Sequence, residues 1–129
     1  MGRSLRIRNV TRGTIVAERC DVAASYLRRM FGLIPRARLG EGEGLLLLRT
    51  SAITMMFMRF AIDAIAVRAD GTVVACWRRL RPWAPVAWAR GAASLVELPV
   101  GTIDRTGTQP GDLLRFEEAA QGTSVREVS

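Results

Sequence analysis

Short apolar or alternating segments, separated by turns marked with glycine, proline and aspartate, recur along most of this 129-residue chain. Arg3 to Val10 alternates between apolar and polar residues, as a half-buried strand does. Gly44 to Leu48 is a continuous apolar run, which is typical of a strand buried on both faces. Asp70-Gly71 is a strong hairpin signal. This succession predicts a mainly β fold, a small antiparallel β sandwich or barrel.

One stretch has helical periodicity instead. Asp21 is a suitable N-cap, and the apolar residues after it recur every three or four positions as far as Phe31. Gly32 is a suitable C-cap. We therefore predict one short helix near the N-terminus, and at most one further helical turn between Gly101 and Pro110.

The composition excludes several chemistries. All 19 basic residues are Arg, and the chain contains no Lys and no His, which gives a formal net charge of +7. Without His there is no imidazole base and no Ser-His or Cys-His nucleophile, and without Lys there is no Schiff base. The two cysteines, Cys20 and Cys76, are too few for a disulfide framework or a four-ligand zinc site. We predict no metal and no cofactor.

The length predicts a single domain over residues 1–129, with a core at about residues 10–117 and a polar tail at residues 118–129. The N-terminus lacks the apolar segment of a secretory signal. The longest apolar region, Leu45 to Val67, is interrupted by charged residues, so we expect no membrane partner. We expect a cytoplasmic protein.

The stretch from Ile53 to Asp63 combines apolar residues with charges that are costly to bury. Eight of its eleven residues are apolar, yet it contains Arg59 and ends at Asp63. Strand periodicity places Asp63 on the inward face of its strand. A buried carboxylate needs a cation or several hydrogen-bond donors, so we predict a structural ion pair of Asp63 with Arg59 or with Arg28.

Two further residues complete a candidate site. Alternation places Glu97 on a solvent or cleft face of its strand. Trp83 lies in a basic, aromatic loop, which either caps one end of the barrel or contacts a ligand. We predict that Arg59, Asp63, Trp83 and Glu97 gather at one end of the barrel. This arrangement favours a non-enzymatic binding module for a small ligand or peptide.

Two alternatives stay open. The first is a carboxylate-based enzyme that uses Asp63 and Glu97, which requires both carboxyl groups to line one pocket. The second is weak, non-specific nucleic-acid binding through a basic surface, which requires its arginines to form one contiguous stripe. That surface would consist of Arg6, Arg8, Arg78, Arg79, Arg81 and Arg90.

Five short motifs stand in a fixed order along the chain: Arg29-Met30-Phe31-Gly32-Leu33-Ile34, Met58-Arg59-Phe60-Ala61-Ile62-Asp63, Asp70-Gly71, Val96-Glu97-Leu98-Pro99-Val100-Gly101 and Gly111-Asp112. Together they resemble a family of small bacterial and archaeal proteins, domain of unknown function 192. The resemblance implies a compact β-rich sandwich or barrel and no established activity. Ala61 stands where a Pro is common in the family, and Thr54 stands where many members have His. An activity that depends on that His is therefore not implied for this chain.

Overall fold

The structure is a computed structural model and describes residues 4–23, 39–53, 60–83 and 87–118. Within these ranges the fold is mainly β, as predicted. The elements in chain order are β1 (Ser4–Asn9), β2 (Thr14–Ala23), β3 (Glu43–Leu48), β4 (Ala52–Ile53), β5 (Ile62–Val67), β6 (Val73–Leu80), β7 (Ala87–Trp88), β8 (Ser94–Leu98), α1 (Thr102–Thr106) and β9 (Leu114–Glu118). No helix in these ranges is long and apolar enough to cross a membrane.

Seven of these strands form one curled sheet in the order β6-β5-β8-β3-β2-β1-β9, and β4 and β7 form a separate two-stranded ladder. Neighbouring strands are antiparallel except β2 and β3, which are parallel. The edge strands β6 and β9 meet through a bridge between Thr72 and Leu113, the residues that directly precede them. The amide of Leu114 also donates to the carbonyl oxygen of Gly71 at 2.9 Å. The sheet therefore curls until its two edges touch.

The short helix lies near the C-terminal end of the described chain, and the prediction of a helix beginning at Asp21 is wrong. Strand β2 continues through Asp21, which pairs with Ser4 of β1 on one side and with Leu45 of β3 on the other. These neighbours bind backbone groups that a helix start would leave unpaired. The remainder of the predicted helix falls on residues outside the described ranges. Helix α1 occupies the stretch where one helical turn was predicted.

The central strands β3, β5 and β8 are buried on both faces. Every residue of β5 is buried, so Ile62, Ala64 and Ala66, which point to the face opposite Asp63, are buried as well. The first cluster, on one face, includes Leu46, Ile65, Val67, Val96 and Leu98. The second cluster, on the other face, consists of Leu45, Leu47, Ile62, Ala66, Ala89 and Leu95. A polar side chain on either face of these strands consequently lies in apolar surroundings.

Candidate functional site

Asp63 lies on the predicted inward face of β5 and is 1% exposed. Its carboxylate accepts three backbone hydrogen bonds. Oδ1 accepts from the amide of Arg79 at 3.0 Å, and Oδ2 accepts from the amides of Gly101 at 3.2 Å and Ile103 at 2.9 Å. These donors lie at the end of β6 and at the start of α1. Hydrogen bonds to Asp63 therefore link the end of β6 and the start of α1 to β5.

Irregular backbone supplies these donors. Between Ile62 and Ala64 the β5–β6 register shifts, so that more than one residue of β6 lies opposite Asp63. Arg79 in this bulge has a φ of +54°. Gly101 has a φ of +97° and begins the turn into α1. The ion pair predicted for Asp63 with Arg59 or Arg28 involves residues outside the described ranges, and it stays a prediction.

Glu97 is the second-last residue of β8, where it pairs with Leu45 of β3 and with Ala64 of β5. Directly opposed residues of antiparallel strands share a face, so its side chain joins the face of the second cluster. Glu97 is only 3% exposed, and the prediction that it faces solvent or a cleft is therefore wrong. The signal was present in the sequence, because Leu95-Val96-Glu97-Leu98 is almost as apolar as the doubly buried run of β3.

The Glu97 carboxyl group has few polar contacts. Across the described ranges, its Oε1 atom is buried and has no hydrogen-bond partner. Removal from water raises the pKa of Glu97 from 4.5 to about 8, because burial disfavours the charged form. The neutral acid therefore predominates at pH 7. A buried polar group without a partner is uncommon in native structures, and at this position it has no evident structural purpose.

The carboxyl groups of Asp63 and Glu97 do not share a pocket. Asp63 pairs with Leu98, and its neighbour Ala64 pairs with Glu97. Successive residues along a strand point to opposite faces, so the sheet lies between the two carboxyl groups. They cannot act on one substrate as an acid and base pair, and this finding removes the geometric basis of the carboxylate-enzyme alternative.

Trp83 follows the end of β6, whose Leu80 pairs with Ile62 at the start of β5. It therefore lies towards the same end of the sheet as Asp63. Its side chain is 60% exposed, and its φ is +66°. The chain brings Asp63, Glu97 and Trp83 to one end of the sheet but not to one face. Arg59, the fourth predicted member of the site, lies outside the described residues.

The six arginines proposed as a basic surface divide into separate groups. Arg6 and Arg8 lie on β1, whereas Arg78 and Arg79 lie at the end of β6, and β9 lies between these two strands where the sheet edges touch. Two of the six also contact carboxylates: Arg6 Nε lies 3.3 Å from Glu18, and Arg78 Nε lies 2.6 Å from Asp104. This arrangement does not support one contiguous stripe.

A buried polar network, which sequence patterns did not indicate, joins the first turn to the last. The side chain of Asn9, which is fully buried, donates to Thr108 Oγ1 and to Asp112 Oδ2, both at 3.0 Å. Arg12 donates to both oxygens of Asp112, at 3.0 and 3.3 Å. These contacts are structural. No group of three Cys, Asp or Glu side chains in the described part of the chain is placed to hold a metal ion.

Comparison with known proteins gives a family and a fold. A family profile for domain of unknown function 192, described as "Uncharacterized ACR", matches residues 7–116. A UPF0127 protein of Thermococcus sibiricus is 27% identical over 121 residues, which cover 91% of this chain and 78% of that protein. A structure from Sinorhizobium meliloti 1021, described as a "putative transcription regulator", has a TM-score of 0.78 at 21% identity over 90% of this chain and 94% of that one. A protein of unknown function from Novosphingobium aromaticivorans has a TM-score of 0.76 at 22% identity over 88% and 84% of the two chains. At such identities the structural matches show a shared fold alone.

Proposed function

This chain belongs to the family of domain of unknown function 192, and we propose that it is a non-enzymatic binding module for a small ligand or peptide, with Glu97 as the polar anchor. The observation that carries the proposal is the buried Oε1 atom of Glu97, which has no hydrogen-bond partner among the described residues. Burying such a group costs free energy, and no contact within the described chain offsets this cost. A bound ligand that donates the missing hydrogen bond would offset it.

The surroundings of Glu97 define the ligand chemistry. The second cluster is apolar, so the matching ligand has an apolar body and one hydrogen-bond donor. An amide N–H suits the site better than an ammonium group does. A neutral donor does not require Glu97 to ionise, and the net charge of +7 repels cations. An apolar side chain beside a peptide N–H presents the same combination.

The other predicted site residues have different parts in this proposal. Asp63 already accepts three backbone hydrogen bonds on the opposite face, which supports a structural role. Trp83 is exposed at the same end of the sheet and could cover a bound ligand at the edge of the second cluster. Arg59 remains a proposed contact. Three cavities lined by described residues lie elsewhere on the molecule and do not include Glu97.

The test compares two probes of similar shape. Hexanamide has an apolar chain and an N–H donor, whereas methyl hexanoate has the chain and no donor. Thermal unfolding is followed at pH 6, where Glu97 is neutral, with increasing probe concentration. A ligand that binds only the folded state raises the melting temperature by mass action. The variant Glu97→Leu removes the acceptor at similar volume, and Glu117→Leu is a matched control on β9.

We expect hexanamide to stabilise the wild-type protein and Glu117→Leu, and to have no effect on Glu97→Leu. Methyl hexanoate, which lacks the N–H donor, should stabilise the wild-type protein less than hexanamide does. Equal stabilisation of Glu97→Leu by hexanamide, or no stabilisation of the wild type, would show that Glu97 does not anchor a ligand of this class. Glu97→Leu is expected to remain folded, because Leu replaces an unpartnered polar group in an apolar cluster.

A further inference from the structure

A group of polar and aromatic residues lies at the end of the sheet opposite Asp63. We call it the rim surface and define it as Arg49, Arg68, Trp88 and Arg90. Strands β3 and β5 end at Leu48 and Val67, and both of these residues pair with Ser94, the first residue of β8. Arg49 and Arg68 follow directly. Their backbones are therefore two strand spacings apart, about 10 Å.

A turn places the other two members beside them. The amide of Ala92 donates to the carbonyl oxygen of Ala89 at 3.3 Å, which leaves Arg90 at the tip of the turn. The amide of Ala93 donates to Val67 at 2.7 Å, and the amide of Thr50 donates to Ala93 at 3.0 Å. These hydrogen bonds fix the turn between the ends of β3 and β5.

The members of the rim surface are accessible. Trp88 pairs with Ala52 in the β4–β7 ladder, and its side chain is 60% exposed. Arg49, Arg68 and Arg90 are all exposed as well. This end of the sheet therefore exposes both an aromatic face and positive charge.

The local charge balance is strongly positive. Between Gly44 and Val96 the sequence contains two acidic residues, Asp63 and Asp70. Asp63 is buried at the other end of β5, where backbone amides bind it. Asp70 lies in the hairpin after Arg68, and its Oδ1 accepts a hydrogen bond from the amide of Thr72 at 2.9 Å. Asp70 is therefore the one carboxylate that this stretch of sequence brings to the same end of the sheet as the rim surface.

We propose that the rim surface binds single-stranded nucleic acid, with Arg68 and Arg90 on phosphates and a base stacked on Trp88. Guanidinium groups bind phosphate oxygens, and an exposed indole stacks on unpaired bases of any sequence. The bases of a duplex are already stacked on one another, so the indole favours a single strand. This surface shares only Arg90 with the six-arginine surface considered above. The proposal does not rest on the Glu97 site.

The test uses a fluorescently labelled oligodeoxythymidylate of about 12 nucleotides, within the site size of small single-strand binders. Anisotropy titrations with the full chain are run between about 50 and 150 mM salt, and repeated with a duplex of the same length. Trp88→Ala removes the stacking platform, and Trp83→Ala removes an equally exposed indole at the other end of the sheet. The double variant Arg68→Gln/Arg90→Gln is matched by Arg8→Gln/Arg115→Gln, which removes two exposed arginines that face each other on β1 and β9.

We expect the single strand to bind more tightly than the duplex. Trp88→Ala should weaken binding at least about fivefold, the low end of base stacking on an aromatic residue. Arg68→Gln/Arg90→Gln should reduce the slope of log affinity against log salt by about 1.4, since each phosphate contact contributes about 0.7. Trp83→Ala should have no effect, and Arg8→Gln/Arg115→Gln should leave the slope unchanged.

Three results would overturn the proposal. The first is equal weakening by the Arg8→Gln/Arg115→Gln pair, which would show a response to net charge alone. The second is binding of the duplex as tight as that of the single strand. The third is Trp88-dependent binding to anionic lipid vesicles without binding to the oligonucleotide, which would assign the rim surface to a membrane.

Discussion

Stability should fall as the pH rises from about 4.5 towards 8, because Glu97 ionises at different pH values in the folded and unfolded chain. Burial raises the pKa of Glu97 from 4.5 to about 8 in the folded state. In this window the unfolded chain has released the proton and the folded chain retains it. Since the folded state binds more protons than the unfolded state, the free energy of unfolding decreases as the pH rises. The stabilisation is complete below the unfolded pKa and is lost as the pH approaches the folded value.

The size of the effect follows from the difference between the two pKa values. Each unit of difference corresponds to about 1.4 kcal/mol, so the interval from 4.5 to about 8 corresponds to roughly 5 kcal/mol. Most small domains have only about 5–15 kcal/mol of total stability, so this loss is large. Glu97→Gln cannot titrate, and its stability relative to the wild type should increase by about 1.4 kcal/mol per pH unit across the window.

The measurement is urea unfolding of the wild type, Glu97→Gln and Glu97→Leu at several pH values between 4.5 and 9. Differences between wild type and variant cancel the titration of the other groups. The stability difference from the wild type should have the same slope against pH for both variants, because neither Gln nor Leu titrates. The two differences should be offset from each other, because Gln and Leu differ in polarity and shape. A flat difference between the wild type and either variant would refute the reasoning, because it would mean that Glu97 is ionised in the folded protein throughout this range.

Three further predictions concern stability. Asp63→Ala should cost roughly 3 kcal/mol or more in urea unfolding, because it leaves three backbone amides without their acceptor, and Asp63→Asn should cost less. A double-mutant cycle of Asp63 with Arg59, and then with Arg28, measures the predicted ion pair, and zero coupling in both would exclude it. Gly71→Ala should cost more than about 3 kcal/mol, because Gly71 has a φ of +96° and an added Cβ would overlap a carbonyl oxygen of β9. Gly13→Ala, at a φ of +70° with open space around it, should cost only about 1 kcal/mol, and equal losses at both positions would contradict the overlap.

Short-range signals predicted much of the fold. The alternation of β1, the apolar run of β3 and the Asp70-Gly71 hairpin are each confirmed, because a few consecutive residues determine them. The helix start expected at Asp21 is wrong because its sequence signal is equally local, whereas pairing with a segment distant in sequence determines the backbone there. Strand β3 supplies parallel partners as far as Ala23, and no pattern around Asp21 indicates them. The touching of β6 and β9 depends on the curl of the whole sheet and was likewise not predictable.

The contrast between Asp63 and Glu97 shows why side-chain patterns identified the costly residues but not their surroundings. Alternation indicates on which face of a strand each side chain lies, but it does not indicate that both faces of β5 and β8 are buried. Asp63 lies opposite a bulge and beside the start of α1, where backbone amides are free to turn towards it. Glu97 lies between two regular ladders in which the neighbouring backbone amides already pair with carbonyl groups. The sheet therefore has donors to offer Asp63 and none to offer Glu97. A hydrogen-bond partner for Glu97 would come from outside these ladders, and this supports its proposed role as a ligand anchor.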